Sequence, residues 1–160
     1  MFVRQHMSVP PITIRADADY RAALALMQEH AVHHVPVLDP DGALAGILAE
    51  RDLLLAASRF LQAGVDVGDV MHRDVVTVTP DTPLEAAAAL LARHKIGGLP
   101  VVGARGEVVG VITETDMLVA LMDVLAARPA TGRGAVRRMP RARPAAAKVA
   151  LKPVRRPRGP

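Results

Sequence analysis

The stretch Ile96-Gly97-Gly98-Leu99-Pro100-Val101-Val102, followed after a turn by Val108-Val109-Gly110-Val111-Ile112-Thr113-Glu114-Thr115-Asp116, decides how this chain is read. Two short apolar runs flank Gly103-Ala104-Arg105-Gly106, and the second opens into an apolar, helix-forming segment. That is the pattern of a hairpin feeding a helix that starts near Thr113 and runs to about Ala127. Upstream, Val75-Val76-Thr77-Val78 reads as a strand, and an Ala-rich helix follows it to about His94. Thr82 is placed to be that helix's N-cap, Pro83 suits its first turn, and Glu85 would complete a capping box. Gly97-Gly98 breaks the helix, and Pro100 is expected near the start of its strand or on a sheet edge.

Working outward, the same order appears twice. Shifted by 64 residues, positions 3–56 lie on 67–120 without a gap, with 17 identities in 54 pairs. Met7 falls on Met71, His30 on His94, Pro36 on Pro100, Gly46 on Gly110 and Asp52 on Asp116. The first copy therefore reads as strand 12–14, helix 19–30, strand 35–38, strand 44–48 and helix 50–62. A period this long is one supersecondary unit used twice. The fold class is α/β, two β-α-β-β-α repeats with small mixed sheets, a right-handed crossover at each strand–helix–strand step, and a cleft between the copies where a ligand can sit. Each repeat alone is too small to bury much surface, so the two are expected to share one core.

Composition bounds the function. Hydrophobic residues make up 51% of the chain but aromatics only 2%, so the core must be aliphatic. Cysteine is absent, which excludes disulfides and thiolate chemistry. No apolar run reaches the ~18 residues of a membrane span, and the first residues lack the apolar stretch of a signal peptide. A cytoplasmic protein without a membrane partner is the expectation. Residues 1–127 hold all 16 acidic side chains and nine Lys+Arg, a net of −7, whereas residues 128–160 hold 11 Lys+Arg and no acid. The chain thus divides into a first repeat (1–63), a second repeat (64–127) and a basic Arg/Pro/Ala tail (128–160) expected to be disordered. The last helix of each repeat carries apolar residues on more than one face: Leu53, Leu54, Leu55, Phe60 and Leu61 in the first, Met117, Leu118, Val119, Leu121, Met122, Val124 and Leu125 in the second. That surplus predicts a homodimer through these helices.

The Ile-Gly-Gly-Leu-Pro-Val-Val stretch, the Gly-Val-Ile strand and the Thr-x-x-Asp helix start, with their counterparts one period earlier, resemble a tandem CBS domain pair, also called a Bateman module, over about residues 3–125. The resemblance implies two repeats packed with pseudo-two-fold symmetry. It also implies a regulatory module binding AMP, ADP, ATP or S-adenosylmethionine between the copies. On that basis Asp116 would hold the ribose and Thr113 the phosphate or ribose, with the adenine near Val75, Thr77, Ile96, Gly98 and Pro100. The residue chemistry agrees. A helix start offers free N–H groups to a phosphate, and a carboxylate accepts both ribose hydroxyl protons. Thr-x-x-Asp is equally a helix cap, and the two readings are compatible.

The copies differ at this point. Ala49 stands where the second copy has Thr113, although Asp52 keeps the acid, and His33-His34 replaces Gly97-Gly98. One competent site around Thr113 and Asp116 is therefore expected, and a weak or empty one around Asp52. Arg51, Arg4, Arg73 and Lys95 are candidate phosphate cations. His30, His33 and His34 do not complete a metal set, and no nucleophile–base arrangement or Gly-rich phosphate loop points to catalysis. The tail, dense at Arg137-Arg138 and Arg155-Arg156 and free of aromatics, suits non-specific contact with nucleic acid or another acidic partner, including the acidic repeats themselves.

Overall fold

The computed structural model describes residues 1–59 and 64–126. Elements follow in the order β1 (Ile14–Arg15), α1 (Tyr20–His30), β2 (His34–Leu38), β3 (Leu44–Ala49), α2 (Glu50–Arg59), α3 (Val67–Val70), α4 (Leu84–His94), β4 (Gly98–Val102), β5 (Val108–Thr113) and α5 (Glu114–Ala126), after a 3₁₀ turn at Val3–Gln5. The first sheet has the order β1-β2-β3, with β1 parallel and β3 antiparallel to β2. The second pairs β4 and β5 antiparallel. Each hairpin turns on a glycine with φ of 84°, Gly42 and Gly106, a backbone state that costs glycine little. The expectations placed on Phe60, Leu61 and the tail lie outside the described residues.

The repeat holds down to irregularities. Both hairpins slip register at equivalent places, between Val37 and Leu38 and between Val101 and Val102. Both first helices end on a left-handed residue, Ala31 and Lys95. The second helix is thus terminated at Lys95, before the Gly97-Gly98 pair expected to break it. The predicted strand 75–78 contracts to one parallel bridge, Val78 to Val101, which matches the Ile14–Val37 pair one period earlier. Pro100 sits mid-strand rather than at an end. Its carbonyl accepts from Val78 N–H at 3.1 Å. A strand residue's N and C=O point to the same side, so the missing donor falls where only that one bridge forms. The expected Thr82 cap is also replaced. Pro83 is the N-cap of α4 and makes no side-chain cap bond, because Thr82 Oγ1 turns back to accept from Thr79 N–H at 3.0 Å.

The core corrects a further expectation. Instead of one shared core there are two, and each takes a segment from the other repeat's sequence. Val65, Val67 and Met71 pack with Tyr20, Met27, Val37, Leu48 and Leu53 of the first repeat. Val3 packs with Leu84, Leu91, Leu99, Val101 and Ile112 of the second. The backbone follows the same exchange. Tyr20 N–H donates to Val65 O at 3.0 Å and Val67 N–H to Ala18 O at 2.8 Å, while Leu84 N–H donates to Met1 O at 3.0 Å and Val3 N–H to Thr82 O at 2.9 Å. Each repeat's leading segment therefore straps the body of the other. The straps seat a methionine over a glycine. A β-carbon added at Gly46 would lie 2.5 Å from Met71 Sδ and 2.8 Å from His72 O, and one at Gly110 would lie 3.0 Å from Met7 Sδ and Ser8 O.

Candidate functional site

The strap from Met71 to Asp74 crosses the first repeat beside the start of α2, and the space it borders is a cleft of about 1040 Å³. Its walls come from both repeats. The first supplies His33, His34, Ala49, Glu50, Arg51 and Asp52. The second supplies His72 and Arg73 from the strap, Val75 just after it, Lys95, Ile96 and Gly97 from the turn ahead of β4, and Gly98 at the start of β4. The size is at the upper end for a small-molecule site.

The pseudo-two-fold brings the non-matching residues face to face. His34 lies over Gly97 and Gly98, and a β-carbon on Gly97 would lie 2.5 Å from His34 Cε1. The absent side chains of the second repeat thus make room for the imidazole of the first. Burial, and next the neighbouring His33, hold the His34 pKa below its ordinary 6.5. The unfolded chain then takes up the proton first. The stability contributed by the neutral ring is complete above about pH 6.5 and declines as pH falls through that value. The urea midpoint should drop between pH 7.5 and pH 5.5, and the drop should shrink in His34→Gln. An unchanged pH dependence in that variant would contradict the assignment.

Asp52 and Asp116 occupy equivalent positions but do different things. In the second repeat, Thr113 N–H donates to Asp116 Oδ2 at 2.8 Å, the Thr113 hydroxyl donates to the same oxygen at 2.7 Å, and Asp116 N–H reaches Thr113 Oγ1 at 3.4 Å. That is a closed helix cap at the start of α5. In the first repeat Ala49 offers no hydroxyl. The Asp52 carboxylate, 16% exposed, instead meets His72 Nε2 at 3.1 Å, and Arg51 Nε lies 3.7 Å from its other oxygen. Beside it, His33 Nδ1 and Glu50 Oε2 are 2.6 Å apart, and Glu50 N–H donates to His33 O at 3.0 Å, as Glu114 N–H does to Gly97 O at 3.1 Å.

Of the residues singled out in the sequence, the cleft gathers Asp52, Val75, Ile96 and Gly98. Thr113, Asp116, Thr77 and Pro100 are not among its lining residues. Pro100 is fully buried in β4. Arg73, Lys95 and Arg51 border the cleft, whereas Arg4 is paired with Asp81 and stacked over Phe2. Sequence reasoning missed His72 and Glu50. The signal for His72 was its mismatch with Ser8 one period earlier. Among the described residues, no group of three or more His, Asp or Glu side chains is arranged to hold a metal. No helix among them is long and apolar enough to cross a membrane.

Two stretches, residues 3–59 and 67–123, match the CBS domain family. The chain belongs to that family. The CBS pair is 35% identical over 136 residues to a CBS domain-containing protein of Dictyostelium discoideum, covering 78% of this chain and 94% of that one. Among solved structures it is similar to the CBS domain pair of protein MJ0100 in complex with 5′-methylthioadenosine and S-adenosyl-L-methionine, with a TM-score of 0.72, 27% identity, and coverage of 78% of this chain and 98% of that one. It is also similar to CBSX2 in complex with AMP, with a TM-score of 0.69, 30% identity, and coverage of 78% and 98%. Enzymes with a matching segment are much longer, and the chain spans between 21% and 25% of their length.

Proposed function

We propose that this CBS pair is a non-catalytic regulatory module that binds one adenosine-containing ligand per chain, AMP, ADP, ATP or S-adenosylmethionine, in the cleft between its repeats. The observation that carries the proposal is the placement of Asp52 at that cleft, with Val75, Ile96 and Gly98 forming an apolar wall and Arg51, Arg73 and Lys95 along its border. Asp52 accepts the ribose hydroxyls, the wall takes the adenine, and the cations face the phosphates or the sulfonium ligand's carboxylate. Thr113 and Asp116 hold the start of α5. This places the ligand at the repeat expected from sequence to be the weaker one. The solved relatives with S-adenosyl-L-methionine and AMP support the ligand class. A thermal-shift series with the four ligands tests it, because a ligand that binds only the folded state raises the melting temperature with concentration. One of the four should raise it, and at the same ligand concentration the shift should be markedly smaller in Asp52→Asn. No shift with any of them would overturn the reading.

The same module is proposed to act as a homodimer. Leu118, Leu121, Met122 and Leu125 recur at helical spacing along α5 and are 50–67% exposed, and Leu54 and Leu55 of α2 are 55–56% exposed. Val119 and Val124 are exposed as well, and a stable interface buries about 800 Å² per partner. The basic residues 128–160 are proposed to add a salt-sensitive contact with nucleic acid or another acidic partner.

A further inference from the structure

Asp52 is already occupied. Its largely buried carboxylate is engaged by His72, whose imidazole is 59% exposed and is carried on a strap fixed at the backbone. Ile47 N–H donates to His72 O and His72 N–H to Ile47 O, both at 2.9 Å. The other strap is built the same way, with Ser8 N–H donating to Val111 O at 2.9 Å and Val111 N–H to Ser8 O at 3.3 Å. Ser8 is the counterpart of His72 one period earlier, so the two straps share backbone geometry and differ in what they present at the neighbouring helix start. On the second repeat, where the strap carries a serine, the aspartate closes onto Thr113. On the first, where residue 49 is alanine, the aspartate faces the cleft and the strap supplies an imidazole to it.

We propose that His72 is an intramolecular latch on Asp52, an internal occupant that an adenosine ligand must displace before its ribose can reach the carboxylate. The inference rests on the reading of the cleft as an adenosine site. Displacement needs only a side-chain rotation, since the strap's backbone bonds do not involve the imidazole. The latch sets ligand affinity below what the cleft alone would give, and it favours ligands whose ribose hydroxyls offer Asp52 two donors in exchange for one.

The test is calorimetric titration of adenosine and of AMP into the full chain, wild type and His72→Ser, the residue found at the equivalent position. A hydrogen bond from a largely exposed imidazole of this kind is worth about 1 kcal/mol. The latch therefore predicts that His72→Ser tightens both ligands by about three- to fivefold, in equal measure, because the competition is for the ribose. His72→Gln, which keeps a polar side chain on the strap, should tighten both by a smaller factor. If His72 instead holds the phosphate, His72→Ser weakens AMP and leaves adenosine unchanged, which overturns the latch while leaving the cleft as the site. Equal affinities in wild type and both variants also overturn it. Failure of the underlying reading looks different: neither ligand binds any of the three proteins, or Asp52→Asn binds both ligands as the wild type does.

Discussion

Gly46→Val is expected to lower the unfolding free energy by about 3 kcal/mol, the upper end of the range for overfilling a packed site. Gly46 lies in β3 beneath the strap, and even a single added carbon would come within 2.5 Å of Met71 Sδ and 2.8 Å of His72 O. The thioether can rotate away, but the carbonyl cannot, because it accepts from Ile47 N–H in the pair of bonds that fixes the strap. The variant must lift the strap, which withdraws Met71, Val67 and Val65 from the first core and moves His72 and Arg73 at the cleft. Gly110→Val provides the comparison. There the built contacts are 3.0 Å, and the strap carries no residue that lines the cleft, so a smaller loss and intact ligand binding are expected. Urea unfolding of both variants checks the order. Equal losses would mean that the two straps are equally tolerant and that the asymmetry at Met71 has no energetic weight.

Leu118→Glu combined with Met122→Glu is expected to convert a dimer to a monomer. Both side chains are at least 60% exposed, so the charges are solvated in the monomer and cost its fold little. In a dimer each would be desolvated against an apolar partner surface without a counter-ion, a cost of several kcal/mol per charge. Light scattering behind a sizing column should give twice the chain mass for wild type and one chain mass for the variant. A wild type that is monomeric at tens of micromolar would contradict the assignment of the α5 stripe.

Much of the fold was legible because a repeat carries its own check. A feature read in one copy must recur 64 residues away, and the hairpin slips, the left-handed helix ends and the Val78 bridge all do. The exchange of leading segments was not legible. The pattern of Val3 and Met7 against Val67 and Met71 states that these residues are buried, and it is satisfied whichever core receives them. The Thr82 cap failed for a local reason. Thr82 had two acceptor–donor geometries open to it, the cap of α4 and the turn with Thr79, and the turn won. At the site, the letters of Asp52 and Asp116 are identical, and what separates them is a residue three positions earlier. The Thr-x-x-Asp start reads both as a ligand site and as a helix cap, and the cap is the part that forms, with the Thr113 hydroxyl donating to Asp116. With Ala49 offering no hydroxyl, Asp52 faces the cleft and meets His72.

Binding of one adenosine ligand in the cleft beside Asp52 is tested by titrating the ligand that gives the largest thermal shift into wild type, Asp52→Asn and Asp116→Asn, with stoichiometry read from the same curves. A hydrogen bond to a charged group is worth about 1.5–3 kcal/mol, so Asp52→Asn should weaken binding at least tenfold. Wild type should bind one molecule per chain, and Asp116→Asn should keep that stoichiometry and nearly the same affinity. Loss of binding in Asp116→Asn with retention in Asp52→Asn would place the ligand at the other repeat and contradict the account.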